Sequence, residues 1–312
     1  MLASRFYRSL YRIRRVEEEI ARVYPSDKIM SPVHLSIGQE AISVAVCEAL
    51  QARDIVFGSY RSHALYLAKG GNLKGMIAEL FGKATGVAKG KAGSMHLIDT
   101  TSGVMGASAV VATTLSQSVG YALALKMKRQ QRVVASFFGD GAVEEGTFHE
   151  SLNFAALKKL PVLFVCENNG LAIHSRQRDR MANPDIAGLA RSYGITAEKF
   201  DDMDVFRIFS RTCEALEEIR DGRAGPVLLE CPCYRWKEHV GPGEDYSAGY
   251  RAATEAEVWT KDDQVRQVGE RLDPIERRQI ETEVEKEIRN AFEYAEESPF
   301  PEPDELYSDL YG

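Results

Sequence analysis

The chain has 312 residues, a net charge of -7, 44% hydrophobic and 27% charged positions, enough to bury one large core or two modest ones. Charges of both signs are interspersed, no apolar run reaches about eighteen residues, and the N-terminus has no signal-peptide core. The expectation is therefore a cytoplasmic protein with neither a nucleic-acid nor a membrane partner. Five cysteines, Cys47, Cys166, Cys213, Cys231 and Cys233, are odd in number and fall at no metal-finger spacing, so they read as structural.

Phe6 to Tyr24 mixes apolar positions with Arg12, Arg14, Arg15 and Glu17 to Glu19, and reads as an amphipathic surface helix over about residues 4–24, ended by Pro25. A second helix is expected over Ser36 to Leu50, with Ser36 and Gln39 in capping-box relation. Asp54 to Tyr60 reads as a strand, and Gly82 to Gly93 as a loop crossing the sheet edge. Val111 to Arg129 is a helix feeding Arg132 to Phe138, a short apolar run of the kind a buried parallel strand needs. That run stops at Gly139-Asp140-Gly141. Phe148, Leu152, Ala155 and Ala156 then recur at helical spacing between Glu145 and Lys159, with Glu144 and Glu145 suited to capping the first turn. Pro161 opens another apolar run, Val162 to Cys166, which ends at Asn168-Asn169. Pro184 to Tyr193 and Asp204 to Ile219 are expected helices, and Pro226 to Glu230 a buried strand. Thr254 to Glu297 suggests an outer helical extension, about 254–312, running into the proline-rich Ser298 to Pro303. The alternation over residues 36–231 makes an α/β chain, a mainly parallel sheet flanked by helices in a single domain spanning 1–312.

The informative spacing is Gly139-Asp140-Gly141 followed, after residues 142–167, by Asn168-Asn169. Strand, helix, strand is a right-handed parallel crossover, so Asp140 and Asn169 emerge at the carboxyl edge of the sheet, where ligands bind. Magnesium takes hard oxygen ligands and shares them with phosphates. Asp140 supplies charge, Asn169 a neutral carbonyl, and the Leu171 backbone carbonyl a third oxygen. Gly141 lets the backbone approach a phosphate, and the following helix offers unpaired amides. Each motif alone is an ordinary turn or loop. Together they point to magnesium beside a diphosphate, as in a thiamine diphosphate enzyme.

Further landmarks are His34-Leu35 with Gly38-Gln39-Glu40-Ala41, Tyr60-Arg61-Ser62-His63, Gly90-Lys91-Ala92-Gly93-Ser94-Met95-His96, Glu167-Asn168-Asn169, and Tyr234-Arg235 with His239. From Arg12 to Pro303 the chain resembles the alpha subunit of the thiamine diphosphate-dependent 2-oxo acid dehydrogenase family, which acts on pyruvate, branched-chain 2-oxo acids or acetoin. The resemblance implies the diphosphate-binding half of a thiamine diphosphate-binding fold. It implies that Tyr60, Arg61, Arg235 and His239 hold the diphosphate, helped by the amides of Gly141 and Ala142, with Asp140, Asn169 and the Leu171 carbonyl on magnesium. His239, held cationic or as a donor, borders the substrate from the mobile loop Val240 to Tyr246. His63 is a second catalytic candidate, with a satisfied buried histidine as the alternative. His34 and His96 are expected to pin a helix start and the glycine loop.

Two segments depart from the family. Ser108-Ala109-Val110-Val111-Ala112-Thr113 replaces a glycine-rich segment and puts Ala109 and Val111 at the positions that contact the aminopyrimidine ring. Val240 to Asp245 replaces a polar stretch, and the phosphorylatable serine that follows the corresponding histidine in animal pyruvate dehydrogenases is absent. The implied function is oxidative decarboxylation of a small 2-oxo acid, or cleavage of acetoin, with the fragment passed to lipoamide. The implied partners are a beta subunit that supplies the activating glutamate in an α2β2 assembly, and a lipoyl acyltransferase. The alternatives are a carboligase that joins the fragment to an aldehyde or ketone, and a non-catalytic α/β binding module.

Overall fold

The computed structural model describes residues 1–309. Its strands are β1 (Ile55–Ser59), β2 (Val104–Ser108), β3 (Val134–Gly139), β4 (Val162–Asn168), the two-residue pair β5 (Leu171–Ala172) and β6 (Ser175–Arg176), β7 (Thr196–Lys199) and β8 (Val227–Pro232). Six of them form one sheet in the order β2-β1-β3-β4-β8-β7, parallel at every pairing. Residues alternate between two hydrophobic cores. Ala135, Phe137, Leu163, Val165 and Leu229 face one, and Val134, Phe138, Val162, Phe164 and Leu228 the other. This two-sided burial is why the central strands read as unbroken apolar runs.

The helices are α1 (Leu2–Val23), α2 (Glu40–Ala49), α3 (His63–Ala68), α4 (Leu73–Leu80), α5 (Thr113–Met127), α6 (Gly146–Leu157), α7 (Gln177–Arg180), α8 (Ile186–Ser192), α9 (Val205–Arg220), α10 (Ala253–Lys261), α11 (Gln264–Gly269) and α12 (Pro274–Glu297). Helices α5, α6 and α8 cover one face of the sheet. The other carries α1, α2, α3, α4, α9 and α12. None of them, among the described residues, is long and apolar enough to cross a membrane.

The chain order positions the site. β1 is followed by β2 on one side of it and β3 on the other, so the direction of winding reverses between β1 and β3. The loops leaving those two strands must part, which opens a crevice at their carboxyl ends.

Several expectations need correcting. α1 is no surface helix: it buries Phe6, Leu10, Ile13 and Ile20 together with Arg14 and Glu17, and α12 lies against it through Arg12–Glu287 and Arg15–Glu285 pairs. α2 starts at Glu40, and Ser36 does not cap it. Residues 36–39 instead form a turn closed by the Gln39 amide on the Ser36 carbonyl at 2.9 Å. Among the described residues the C-terminal extension is three α-helices and a 3-10 turn, and the longest helix, α12, contributes Ile280, Val284, Ile288, Ala291 and Phe292 to the main core rather than lying outside it. Its last residues, 310–312, lie outside the described residues. The glycine loop winds round a buried carboxylate: the amides of Ala88, Gly90, Ala92 and Gly93 all donate to Glu79 at 2.7–3.0 Å.

Candidate active site

A cavity of about 300 Å³ opens at the carboxyl ends of β1, β3 and β4. Tyr60, Arg61, Val111, Asp140, Gly141, Ala142, Asn169, Leu171, Arg235 and His239 all line it. The sequence-derived candidates are thus brought together from five separate stretches of chain. Ala109 and His63 are not part of the lining.

Arg61 leaves the end of β1 and donates to the Leu35 carbonyl at 2.6 Å and the His239 carbonyl at 3.2 Å. Among the described residues no carboxylate pairs with it. Burial, which disfavours the charged form, pulls its guanidinium down to about 10. Arg235, 2% exposed, comes from the segment after β8. It is held by Asp245 at 3.1 Å and by the Tyr250 hydroxyl, while its Nε is buried without a partner. Two buried guanidinium groups, one unneutralised and one with an orphaned donor, make an anion site.

Across the cavity, Asp140 is 1% exposed at the end of β3, where a 3-10 turn begins. Burial pushes its carboxyl up, and Arg180 beside it pulls it down. A Cβ on Gly141 would stand 3.0 Å from that of Ala172, so the turn packs directly on β5. The two asparagines after β4 divide their roles. Asn168 turns away from the cavity, donating to Glu230 at 2.9 Å and accepting from the Gly170 amide at 3.0 Å. Asn169 faces in, its Oδ1 accepting from the Leu171 amide at 3.1 Å and its Nδ2 donating to Gln39 at 3.3 Å. Among the described residues no three His, Cys, Asp or Glu side chains gather as a metal cluster. Oxygen donors near Asp140 are the Asn169 side-chain and Leu171 backbone carbonyls, which line the same cavity, a donor type suited to a hard divalent ion such as magnesium.

The ring of His239 lies 5.7 Å from that of Tyr60 and 5.0 Å from that of His34, and His34 lies 4.6 Å from Tyr60. Burial and the nearby Arg61 and Arg235 lower His239 to about 4; burial first and then Arg61 bring His34 down to about 3. In both, the surrounding protein groups favour the neutral imidazole. His34, expected only to pin a helix start, belongs to the aromatic group beside the site.

His63 is fully buried, with Nδ1 2.8 Å from Glu17 and Nε2 2.7 Å from Ser94 Oγ. Serine, histidine and glutamate stand at the separations of a nucleophile, its base and the base's orienter. All three have no exposure, so the group braces α1, α3 and the glycine loop rather than meeting a substrate. Glu145 precedes α6 without a side-chain capping bond, and Glu144 pairs with Arg180. Glu145 thus occupies the expected capping position by place and charge rather than by a side-chain bond, and both residues line the cavity. Gln39 and Glu167 also line it; their adjacency to the Gly38 turn and to Asn168 was the available signal. Ala112 carries a φ of 65°, a left-handed conformation that glycine adopts without strain, so the departing segment keeps a glycine-like backbone at that point.

The Dehydrogenase E1 component family matches residues 8–304. The chain is 36% identical over 319 residues to the alpha subunit of acetoin:2,6-dichlorophenolindophenol oxidoreductase from Bacillus subtilis (strain 168), covering 98% of this chain and 92% of that one. It is 35% identical over 311 residues to the pyruvate dehydrogenase E1 component subunit alpha from Rhizobium meliloti (strain 1021), covering 97% and 88%. Among solved structures, a transketolase from Pichia stipitis superposes with a TM-score of 0.60 at 16% identity. That alignment covers 94% of this chain but only 46% of the transketolase, so it speaks to the fold alone.

Proposed function

The chain belongs to the dehydrogenase E1 component family, and from that membership we propose that its cavity holds the diphosphate end of thiamine diphosphate with a magnesium ion, as the alpha half of a 2-oxo acid or acetoin dehydrogenase. The observation that carries this reading is that two buried arginines, Arg61 without a carboxylate partner and Arg235 with an orphaned Nε, line the same cavity as the buried carboxylate of Asp140. Anion and divalent cation fit there together and neither fits well alone.

Thiamine diphosphate, when bound, would supply a thiazolium ring that takes up the electrons released as a 2-oxo substrate is cleaved. The residues of this chain bind and orient. Arg61 offers its fork of donors to phosphate oxygens, and the orphaned Nε of Arg235 gains an acceptor. Asp140, the Asn169 side-chain carbonyl and the Leu171 backbone carbonyl hold magnesium, while the amides of Gly141 and Ala142 face the phosphates. His239 borders the substrate and offers it a hydrogen bond. The whole chain acts as one binding unit, and a beta subunit completes the site with the activating glutamate. The relatives' names favour this over the carboligase alternative.

Calorimetric titration of thiamine diphosphate into the chain assembled with its beta partner tests the reading. Binding should require magnesium and be lost in Asp140→Ala, with the circular dichroism of the fold retained. Unchanged affinity in that variant overturns it.

A further inference from the structure

Arg180 is the last residue of α7, on the segment that follows the β5–β6 pair, and its guanidinium lies between the carboxylates of Asp140 and Glu144. Its side chain is 10% exposed, and its Nε also donates to the Ser175 carbonyl at 3.3 Å. Four residues earlier, Arg176 is clamped to the Tyr250 carbonyl and to Glu255, both at 2.7 Å, which ties the segment to the start of α10. Arg180 is therefore delivered to Asp140 by an anchored piece of chain rather than by a wandering surface side chain.

We infer that Arg180 is a resident counter-cation for the metal-binding aspartate, which an incoming metal–diphosphate must displace, so that this arginine sets the apparent affinity for metal and cofactor. The inference rests on the reading of Asp140 as a metal ligand. A buried carboxylate without a neighbouring cation is strongly disfavoured. Arg180 meets that need with one positive charge and a planar set of donors, but the carboxylate oxygen its guanidinium occupies is one a divalent ion would need. Guanidinium and divalent ion therefore compete for the same carboxylate. Apparent affinity equals intrinsic affinity multiplied by the fraction of molecules in which Asp140 is free, so the contact lowers it. Glu144, at the edge of the cavity, gives the displaced arginine a second carboxylate to keep, which holds the segment near the site after the exchange.

The direction of the expected effect separates this role from an ordinary binding contact, whose removal weakens binding. The full chain assembled with its beta partner is prepared as wild type, Arg180→Gln and Arg180→Lys. Manganese(II) is titrated in the presence of thiamine diphosphate and followed by electron paramagnetic resonance. Arg180→Gln should bind manganese about tenfold more tightly than wild type. Arg180→Lys, which keeps the charge but not the two-carboxylate bridge, should fall between them. In thermal melts, Arg180→Gln should start lower without metal and gain more on adding magnesium and cofactor. Equal or weaker manganese affinity in Arg180→Gln overturns the inference and leaves the function standing. Absence of manganese binding in every form overturns the metal reading beneath it. If Arg180→Gln does not assemble, Arg180→Lys decides: tighter binding than wild type supports the inference, and equal or weaker binding overturns it.

Discussion

Glu167 closes the buried part of β4 with its carboxyl in the cavity wall, and burial pushes it up to about 8 although Arg61 pulls the other way. An unfolded glutamate titrates near about 4.3, so between there and about 8 the folded chain holds a proton that the unfolded chain has lost. This group's contribution is present below the unfolded value and is lost as pH rises through that window, at up to about 1.4 kcal/mol per unit. Urea unfolding at pH 5 and pH 8 should show wild type losing more stability over the interval than Glu167→Gln. Parallel behaviour of the two would refute the assignment. Much of the site was legible because its residues sit where apolar runs stop: Arg61, Asp140 and Asn169 each follow a strand that cannot be anything else. Arg180 was not legible, because nothing in Gln177 to Arg180 states how far a long side chain reaches across a hairpin. The division of labour between Asn168 and Asn169 was equally hidden, since it depends on which neighbour faces Glu230.

At the scale of elements, the strands buried on both faces, β1, β3, β4 and β8, announce themselves in sequence. The edge strands do not. Val104–Ser108 contains a glycine, and Thr196–Lys199 is polar and partly exposed, so each pairs only because a finished neighbour offers it a ladder. Helix α12 was legible as a helix but not as core, because its many charges outnumber the apolar stripe that decides its position. Phe292 belongs to that stripe, 7% exposed and edge-on to Phe81 with centroids 6.0 Å apart. Phe292→Ala should cost about 3–5 kcal/mol in chemical denaturation, as a core phenylalanine does. A cost under about 1 kcal/mol, typical of a surface position, would show α12 to be an appendage.

At the scale of the whole molecule, apolar side chains stand uncovered round the cavity mouth: Val110 is 63%, Val111 42%, Ile173 52% and Val240 41% exposed. Exposed valines and isoleucine on segments that also line the cavity fit a surface covered by a partner. The purified chain alone should show no turnover of a 2-oxo acid or acetoin and weak cofactor binding, with both restored by co-expression of a beta subunit. Substantial turnover by the lone chain would contradict this. The meeting of α1 with α12 has a consequence in time. Arg12 and Glu287 are 275 residues apart in sequence, and Tyr7 reaches Glu281 across 274. At about 5–20 residues per second of synthesis, the ribosome needs roughly 15–50 s to supply the second helix after the first. For that interval the stripe of α1 that α12 will cover is in the hands of whatever binds nascent amphipathic helices, and that part of the core closes only after α12 has been made.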